Sequence, residues 1–358
     1  MKTKKKVIHI VEAFGGGIYN YLVDLLNNTI NIYDVTVVYS KRPQTPENFK
    51  KDFDSRIKFI ESKYMARSIS FKDIKALFEI KKIIKQEKPD IVHCHSSKAG
   101  LLGRVAVNTK KIKTFYTPHG YSFLMQDSSK IKRIIYKTIE KIGTLNKSIT
   151  IACSKGEYEE SLKLTKRATY VSNGVNLEKL YKYIPKSIKK IDNKNLTIVT
   201  TGRICYQKNP KLFNKIAQKF QNIKFIWVGT GKLESELTSP NIEVTGWKNK
   251  DELMQILNKA DIFILPSLWE GLPISLLEAM ALKKPCIVSN VIGNRDVIIN
   301  EKNGFVCKNL DEFEKIIIKI QNEEIDLNKI SQNAFDDILK IYNTDAMTRE
   351  YIKIYEGE

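Results

Sequence analysis

Short apolar runs recur along this chain, and each leads through a polar turn into a longer segment with helical spacing. The runs Val7–Val11, Val35–Tyr39, Ile57–Ile60, Ile91–Cys94, Thr114–Tyr116, Ile149–Ala152 and Thr169–Val171 predict buried strands. Between them, Tyr19–Asn27, Lys72–Gln86, Ala99–Asn108, Ile131–Gly143 and Lys155–Lys163 predict helices. This alternation builds a parallel sheet with helices on both faces, a doubly wound α/β domain.

The polar stretch Tyr183–Asn195 (YIPKSIKKIDNKN) lacks core periodicity and reads as a linker. The alternation then restarts. Leu196–Thr201, Lys224–Val228, Ile242–Thr245, Ile262–Leu265, Cys286–Ser289 and Gly304–Val306 predict strands. Lys211–Phe220, Leu233–Leu237, Asp251–Asn258, Ile274–Leu282 and Leu310–Gln321 predict helices. Two consecutive doubly wound domains are expected, residues 1–183 and 196–342, joined by a linker at 184–195 and separated by a cleft. The tail Leu327–Tyr355 reads as helical, and its end, from about residue 343 to 358, is expected to pack back on the first domain. A length of 358 residues agrees with two cores.

Composition narrows the class. No run of about 18 apolar residues is present, so no transmembrane helix is expected. The basic start Met1–Lys6 precedes an apolar run too short for a signal peptide. The five cysteines are scattered without C-x-x-C spacing, which points away from zinc and disulfides and toward a reducing compartment. In His93-Cys94-His95, strand alternation turns Cys94 away from both histidines, so no metal is expected there. The net charge of +20 raises nucleic acid as a partner. However, the lysines are spread along the whole chain without a nucleic-acid motif, and an anionic membrane surface fits better. The segment Ser128–Gly143 places Ile131, Ile134, Ile135, Ile139 and Ile142 at helical spacing among Lys130, Lys132, Arg133 and Lys137. Such a basic amphipathic helix over 130–142 suits a membrane surface, or equally a core-packed helix with a solvated basic face.

The richest chemistry lies in Pro266–Ala281 (PSLWEGLPISLLEAMA). Glu270 falls in a loop at a strand's carboxyl end, where open α/β sheets bind ligands, and Glu278 falls on the helix that follows. The N–H groups near Leu272, Pro273 and Ile274 lie at a helix start suited to an anion. Gly202-Arg203 and Lys208 follow another strand; a planar fork and a point charge suit a diphosphate. Gly229-Thr230-Gly231 and Gly246-Trp247 also sit at strand ends. Trp247 would lie near a nucleotide base, or be an ordinary partly buried Trp.

In the first domain, Gly15-Gly16-Gly17 forms a glycine-rich strand–helix turn able to approach phosphate. His95 and the Pro118-His119-Gly120-Tyr121 turn each end a strand, and His119 is held in a turn rather than on a core face. His9 reads as a core histidine. Ser172-Asn173-Gly174-Val175 marks a turn at the last strand's end. Asp52-Phe53-Asp54 matches a metal-binding D-x-D, a weak signal in a polar stretch.

Taken together, the chain resembles the retaining, nucleotide-sugar-dependent glycosyltransferases of the GT-B fold, group 1 or family four, which build bacterial capsule, lipopolysaccharide and exopolysaccharide. The resemblance rests on the paired glutamates of PSLWEGLPISLLEAMA, on GRICYQKNP, on the triple glycine, and on the Pro-His-Gly and SNGV segments. It implies that Glu278 binds the ribose and Glu270 the donor sugar. Arg203, Lys208 and the N–H groups near Gly271–Ile274 would hold the diphosphate, with Gly16, Gly17, Gly202, Gly229 and Trp247 bordering the nucleotide. His119 would act near the reacting carbon. The HSSKAGLLGR and YTPHGYSF segments resemble the polysaccharide-assembly branch, which implies a polyprenyl-diphosphate-linked acceptor beside Gly15, Gly16, His95 and Tyr121. A UDP-sugar is the favoured donor, no metal or other cofactor is required, and the enzyme would work at the inner face of the cell membrane. Two fixed cations can neutralise a departing diphosphate, which agrees with that implication. Competing readings are a nucleotide-sugar epimerase and a two-lobed sugar-binding protein, the latter expected to carry an export signal.

Overall fold

A computed structural model describes residues 3–66, 70–187 and 195–358. The expected linker falls largely on 188–194, outside the described residues. The chain forms two compact units, one reaching to Asn173 and including Thr344–Glu358, the other Gly174–Asn343. The first boundary therefore comes before Gly174 rather than after Tyr183. The short helix Leu177–Leu180 belongs to the second unit, where Asn258 Nδ2 donates to the Tyr183 carbonyl at 2.6 Å.

In the first unit, the strands are Lys5–Phe14 (β1), Tyr33–Lys41 (β2), Lys58–Glu61 (β3), Ile91–His95 (β4), Lys113–Thr117 (β5), Ile149–Ala152 (β6) and Ala168–Tyr170 (β7). They form one parallel sheet in the order β3-β2-β1-β4-β5-β6-β7. The order reverses between β1 and β4, the switch point where such sheets bind ligands. One face is buried under the helices Gly16–Thr29 and Thr344–Glu356, which bring in Tyr21, Leu22, Met347, Tyr351 and Tyr355. The other lies under Lys72–Glu87, Ser97–Ala106 and Lys130–Gly143.

The expected single tail is two helices, Leu327–Lys340 in the second unit and Thr344–Glu356 in the first. The second of these is fastened by Tyr33 Oη donating to Glu356 at 2.9 Å and by Lys113 Nζ donating to the Tyr355 carbonyl at 3.1 Å.

In the second unit, Thr197–Thr201 (β8), Lys224–Val228 (β9), Ile242–Val244 (β10), Ile262–Leu265 (β11), Cys286–Ser289 (β12) and Phe305–Cys307 (β13) form a parallel sheet ordered β10-β9-β8-β11-β12-β13. The strands β11 and β12, buried along their whole length, are nearly unbroken apolar runs because both faces are covered. The switch point lies between β8 and β11. The helix expected at Leu233–Leu237 is a single 3₁₀ turn, Glu234–Glu236.

Candidate functional site

The loops that leave β8 and β11 are stitched together in the second unit. The Leu268 N–H donates to the Gln207 carbonyl at 2.8 Å, and Asn209 Nδ2 donates to the Pro266 carbonyl at 3.2 Å. Gln207 Nε2 reaches the Trp269 carbonyl at 3.0 Å, and Lys208 Nζ meets Glu270 at 2.7 Å. Glu278 is paired with Lys250, a cation not foreseen from sequence. Both glutamates are buried, at 7 % and 6 % exposure, and each has a lysine as its partner. Arg203 is exposed.

The helix Ile274–Ala281 starts after Pro273 with no side-chain cap and no acidic residue in its first turn. Its positive end is thus left for an outside anion. Leu272 and Pro273 are buried and Ile274 half-buried. Trp247 is 71 % exposed, beyond Gly246.

Gly229 and Gly293 in this region are required by close approach. Gly229 has φ +147°, and a Cβ there would lie 2.1 Å from the Gly202 carbonyl oxygen. Gly293, which sequence reasoning missed, has φ +84°, and its Cβ would lie 2.3 Å from the Gly271 carbonyl oxygen and 3.3 Å from Glu270 Cβ. Gly293 is therefore the backstop of the Glu270 loop.

In the first unit, Gly15 caps the helix Gly16–Thr29, and the space beside Gly16 and Gly17 is open. Glu12, behind this turn, is paired with Arg42. His119 has φ +54°, an unusual backbone for a non-glycine residue. The next residue is pinned: the Gly120 N–H donates to Glu157 at 2.6 Å, and the Cys153 N–H donates to the same carboxylate at 2.7 Å. Burial nevertheless pushes the Glu157 carboxyl pKa up.

Two acceptor-side expectations do not match the side-chain positions. Tyr121 is 1 % exposed, stacked on Phe123 and bonded to Ser161 at 2.8 Å, so it serves the core. His95 is fully buried behind His119. Cys94 faces the opposite core, as alternation requires. His93 and His95 are joined by His9, and ligand nitrogens of the three come within 4.8 Å of one another. These rings are spent on hydrogen bonds: His93 Nδ1 lies 2.6 Å from Tyr355 Oη and its Nε2 lies 2.8 Å from Thr117 Oγ1. In the D-x-D segment, Asp52 accepts from Tyr19 Oη and Asp54 pairs with Arg56, so both carboxylates serve local structure.

The helix Lys130–Gly143 is oriented against the core-packed alternative. Ile131 and Ile134 are 71 % and 65 % exposed, and Ile135 and Ile142 also face solvent. The helix is anchored by Glu140, which meets Arg104 at 2.9 Å and accepts from Tyr116 Oη at 2.7 Å, all three buried. In the same helical layer, Phe71, Ile74 and Phe78 are exposed as well.

Comparison with known proteins agrees with this geometry. Residues 184–337 match the family described as glycosyl transferases group 1, and residues 15–179 match Glycosyltransferase Family 4. The chain is 32 % identical to the Escherichia coli UDP-Gal:alpha-D-GlcNAc-diphosphoundecaprenol alpha-1,3-galactosyltransferase, over 78 % of each sequence. It is 25 % identical, over 98 % of each, to the Campylobacter jejuni N,N'-diacetylbacillosaminyl-diphospho-undecaprenol alpha-1,3-N-acetylgalactosaminyltransferase. The fold matches sucrose-phosphate synthase from Thermosynechococcus elongatus with a TM-score of 0.80 at 15 % identity, covering 99 % of both chains. It matches Anabaena HepE in complex with UDP and glucose at 0.77 and 14 % identity, covering 99 % of this chain and 100 % of that one. The fold is the two-domain, Rossmann-like GT-B fold, and the chain belongs to the group 1 glycosyltransferases.

Proposed function

We propose that this glycosyltransferase moves a sugar, with retention, from a UDP-sugar to a saccharide carried on a polyprenyl diphosphate, at a membrane surface and without a metal cofactor. The observation that carries the reading is the pairing of both buried glutamates with lysines, Glu270 with Lys208 and Glu278 with the exposed Lys250. A lysine held by a carboxylate is a preorganised cation, and charge stabilisation of a departing diphosphate needs such groups fixed in advance. Lys208, the exposed Arg203 and the uncapped start of Ile274–Ala281 together form a cationic set for the diphosphate. Glu278 would take the ribose and Glu270 the sugar hydroxyls. Retention follows by front-face attack, with the leaving phosphate taking the acceptor's proton; double displacement would need a second placed carboxylate.

The names of the E. coli and C. jejuni relatives support a diphosphoundecaprenol-linked acceptor and assembly of surface polysaccharide. UDP in the HepE structure supports the donor base. The exposed isoleucines of Lys130–Gly143, flanked by lysines, and the exposed Phe71, Ile74 and Phe78 support docking on an anionic membrane. No helix among the described residues is long and apolar enough to cross one.

Calorimetry with UDP and GDP in the absence of metal tests the site. UDP binding by the wild type that is lost in Glu278→Ala is expected. Absence of binding by either nucleotide, with or without a divalent ion, would overturn the reading.

A further inference from the structure

The four histidines of the chain all lie in one place. His9 on β1 is the register partner of His93 on β4, and His95 follows on the same face. His119 comes just after β5. His9 Nδ1 lies 3.0 Å from His95 Nε2, and His95 Nδ1 lies 3.1 Å from His119 Nε2. The rings are stacked at interplanar angles of 15° and 25°. His93 stands apart from this chain, bonded instead to Tyr355 and Thr117.

A neutral imidazole carries one proton, so it donates through one nitrogen and accepts through the other. Two hydrogen bonds in series must therefore point the same way. Burial pulls the pKa of His9 and of His119 down to about 3 and that of His95 well below its usual value, so all three rings are neutral near pH 7. If the protons pointed from His119 toward His9, an N–H would be left at His9 Nε2. Among the described residues His9 is bonded through Nδ1 alone. A buried N–H without an acceptor is costly, whereas a bare ring nitrogen costs less. The opposite direction avoids that cost.

We infer that His9 and His95 are positioning residues that hold His119 as the Nδ1–H tautomer, with hydrogen bonds donated from His9 to His95 and from His95 to His119. The Nδ1–H of His119 is then a fixed donor on a half-buried ring, suited to an oxygen of the sugar or its phosphate. That use rests on the transferase reading, while the tautomer itself does not. The choice of tautomer is made on β1, far in sequence from the residue that uses it.

The test is long-range ¹H–¹⁵N correlation NMR of the whole protein at pH 7.5, with His119→Gln for assignment. Wild type should show Nδ1–H on His9, His95 and His119. His9→Asp, which puts an acceptor where His9 Nδ1–H donates, should force Nε2–H on His95 and so on His119, and lower kcat about tenfold with UDP affinity unchanged. His9→Phe, which removes the donor without supplying an acceptor, should leave His119 as Nδ1–H, because His95 Nε2 can then stay bare. An Nε2–H His119 in the wild type, or one indifferent to His9→Asp, would overturn the inference. So would zinc at one equivalent moving the His9, His93 and His95 signals together, which would reassign the cluster to a metal. The tautomers are read without ligand, so a protein that shows them yet binds no nucleotide would refute the transferase reading alone.

Discussion

Lys208 and Glu270 lie 62 residues apart in sequence and 2.7 Å apart in space. Each is short of water, so each depends on the other until a ligand arrives. Lys208→Ala is expected to lower kcat/KM about 100-fold or more, the usual loss of one donor to a developing anion. A sugar-transfer or donor-hydrolysis assay reads it. A loss under tenfold would confine the lysine to its ion pair.

Gly293 backs the Glu270 loop, and a methyl group there meets the Gly271 carbonyl. Gly293→Ala should push the loop outward and lower donor-sugar turnover at least tenfold, with a smaller effect on binding of free UDP. Equal losses in both would mean that the whole edge has moved.

The exposed isoleucines of Lys130–Gly143 can be changed without opening a core. Ile131→Glu with Ile134→Glu should reduce sedimentation with vesicles containing anionic lipid at least tenfold and leave the thermal midpoint within about 2 °C, because surface changes seldom exceed about 0.5 kcal/mol. Unchanged vesicle binding would remove this helix from the membrane face.

The Arg104–Glu140 pair is fully buried, and breaking one side strands the other charge. Glu140→Ala should cost about 3–5 kcal/mol in urea unfolding. Replacing both residues with apolar ones should cost less, a difference that a double-mutant cycle would expose.

Buried histidines make stability depend on acid. Burial pulls the pKa of His9 from 6.5 to about 3 and holds His93 and His95 well below 6.5. Above 6.5 both folded and unfolded chains keep these rings neutral, and pH has no leverage through them. Below 6.5 the unfolded chain takes up protons that the native rings refuse, so stability falls toward about pH 3. His119, lowered to about 3 as well, adds to the same decline. Urea midpoints at pH 7.5, 6.0 and 5.0 should decline steeply; a flat profile would show the rings protonating inside the fold.

The strands were legible because parallel strands covered on both faces are unbroken apolar runs. Glu270 and Glu278 were legible because a Gly-Leu-Pro turn separates a strand-like run from a helix-like one. The histidine chain was not, since His9 meets His95 only once the sheet order puts β1 beside β4. Alternation in one strand can relate His93 to His95, but no local pattern names the neighbouring strand. The outward face of Lys130–Gly143 was equally hidden: its isoleucines have core spacing, and a distant arginine decides which side is buried. Tyr121 lies next to the His119 turn in sequence yet points into the core.

The helix Thr344–Glu356 belongs to the first unit but is synthesised after the whole of the second. Until it emerges, the face of the first sheet that needs Met347, Tyr351 and Tyr355 stays uncovered, and His93 lacks its tyrosine partner. Domains made early on the ribosome generally fold early. Here the last part of the earlier-made unit's core comes after the later unit, so a chain interrupted anywhere in the second unit lacks that part. Translation order thereby delivers the closing piece of the first unit only once the second has been made.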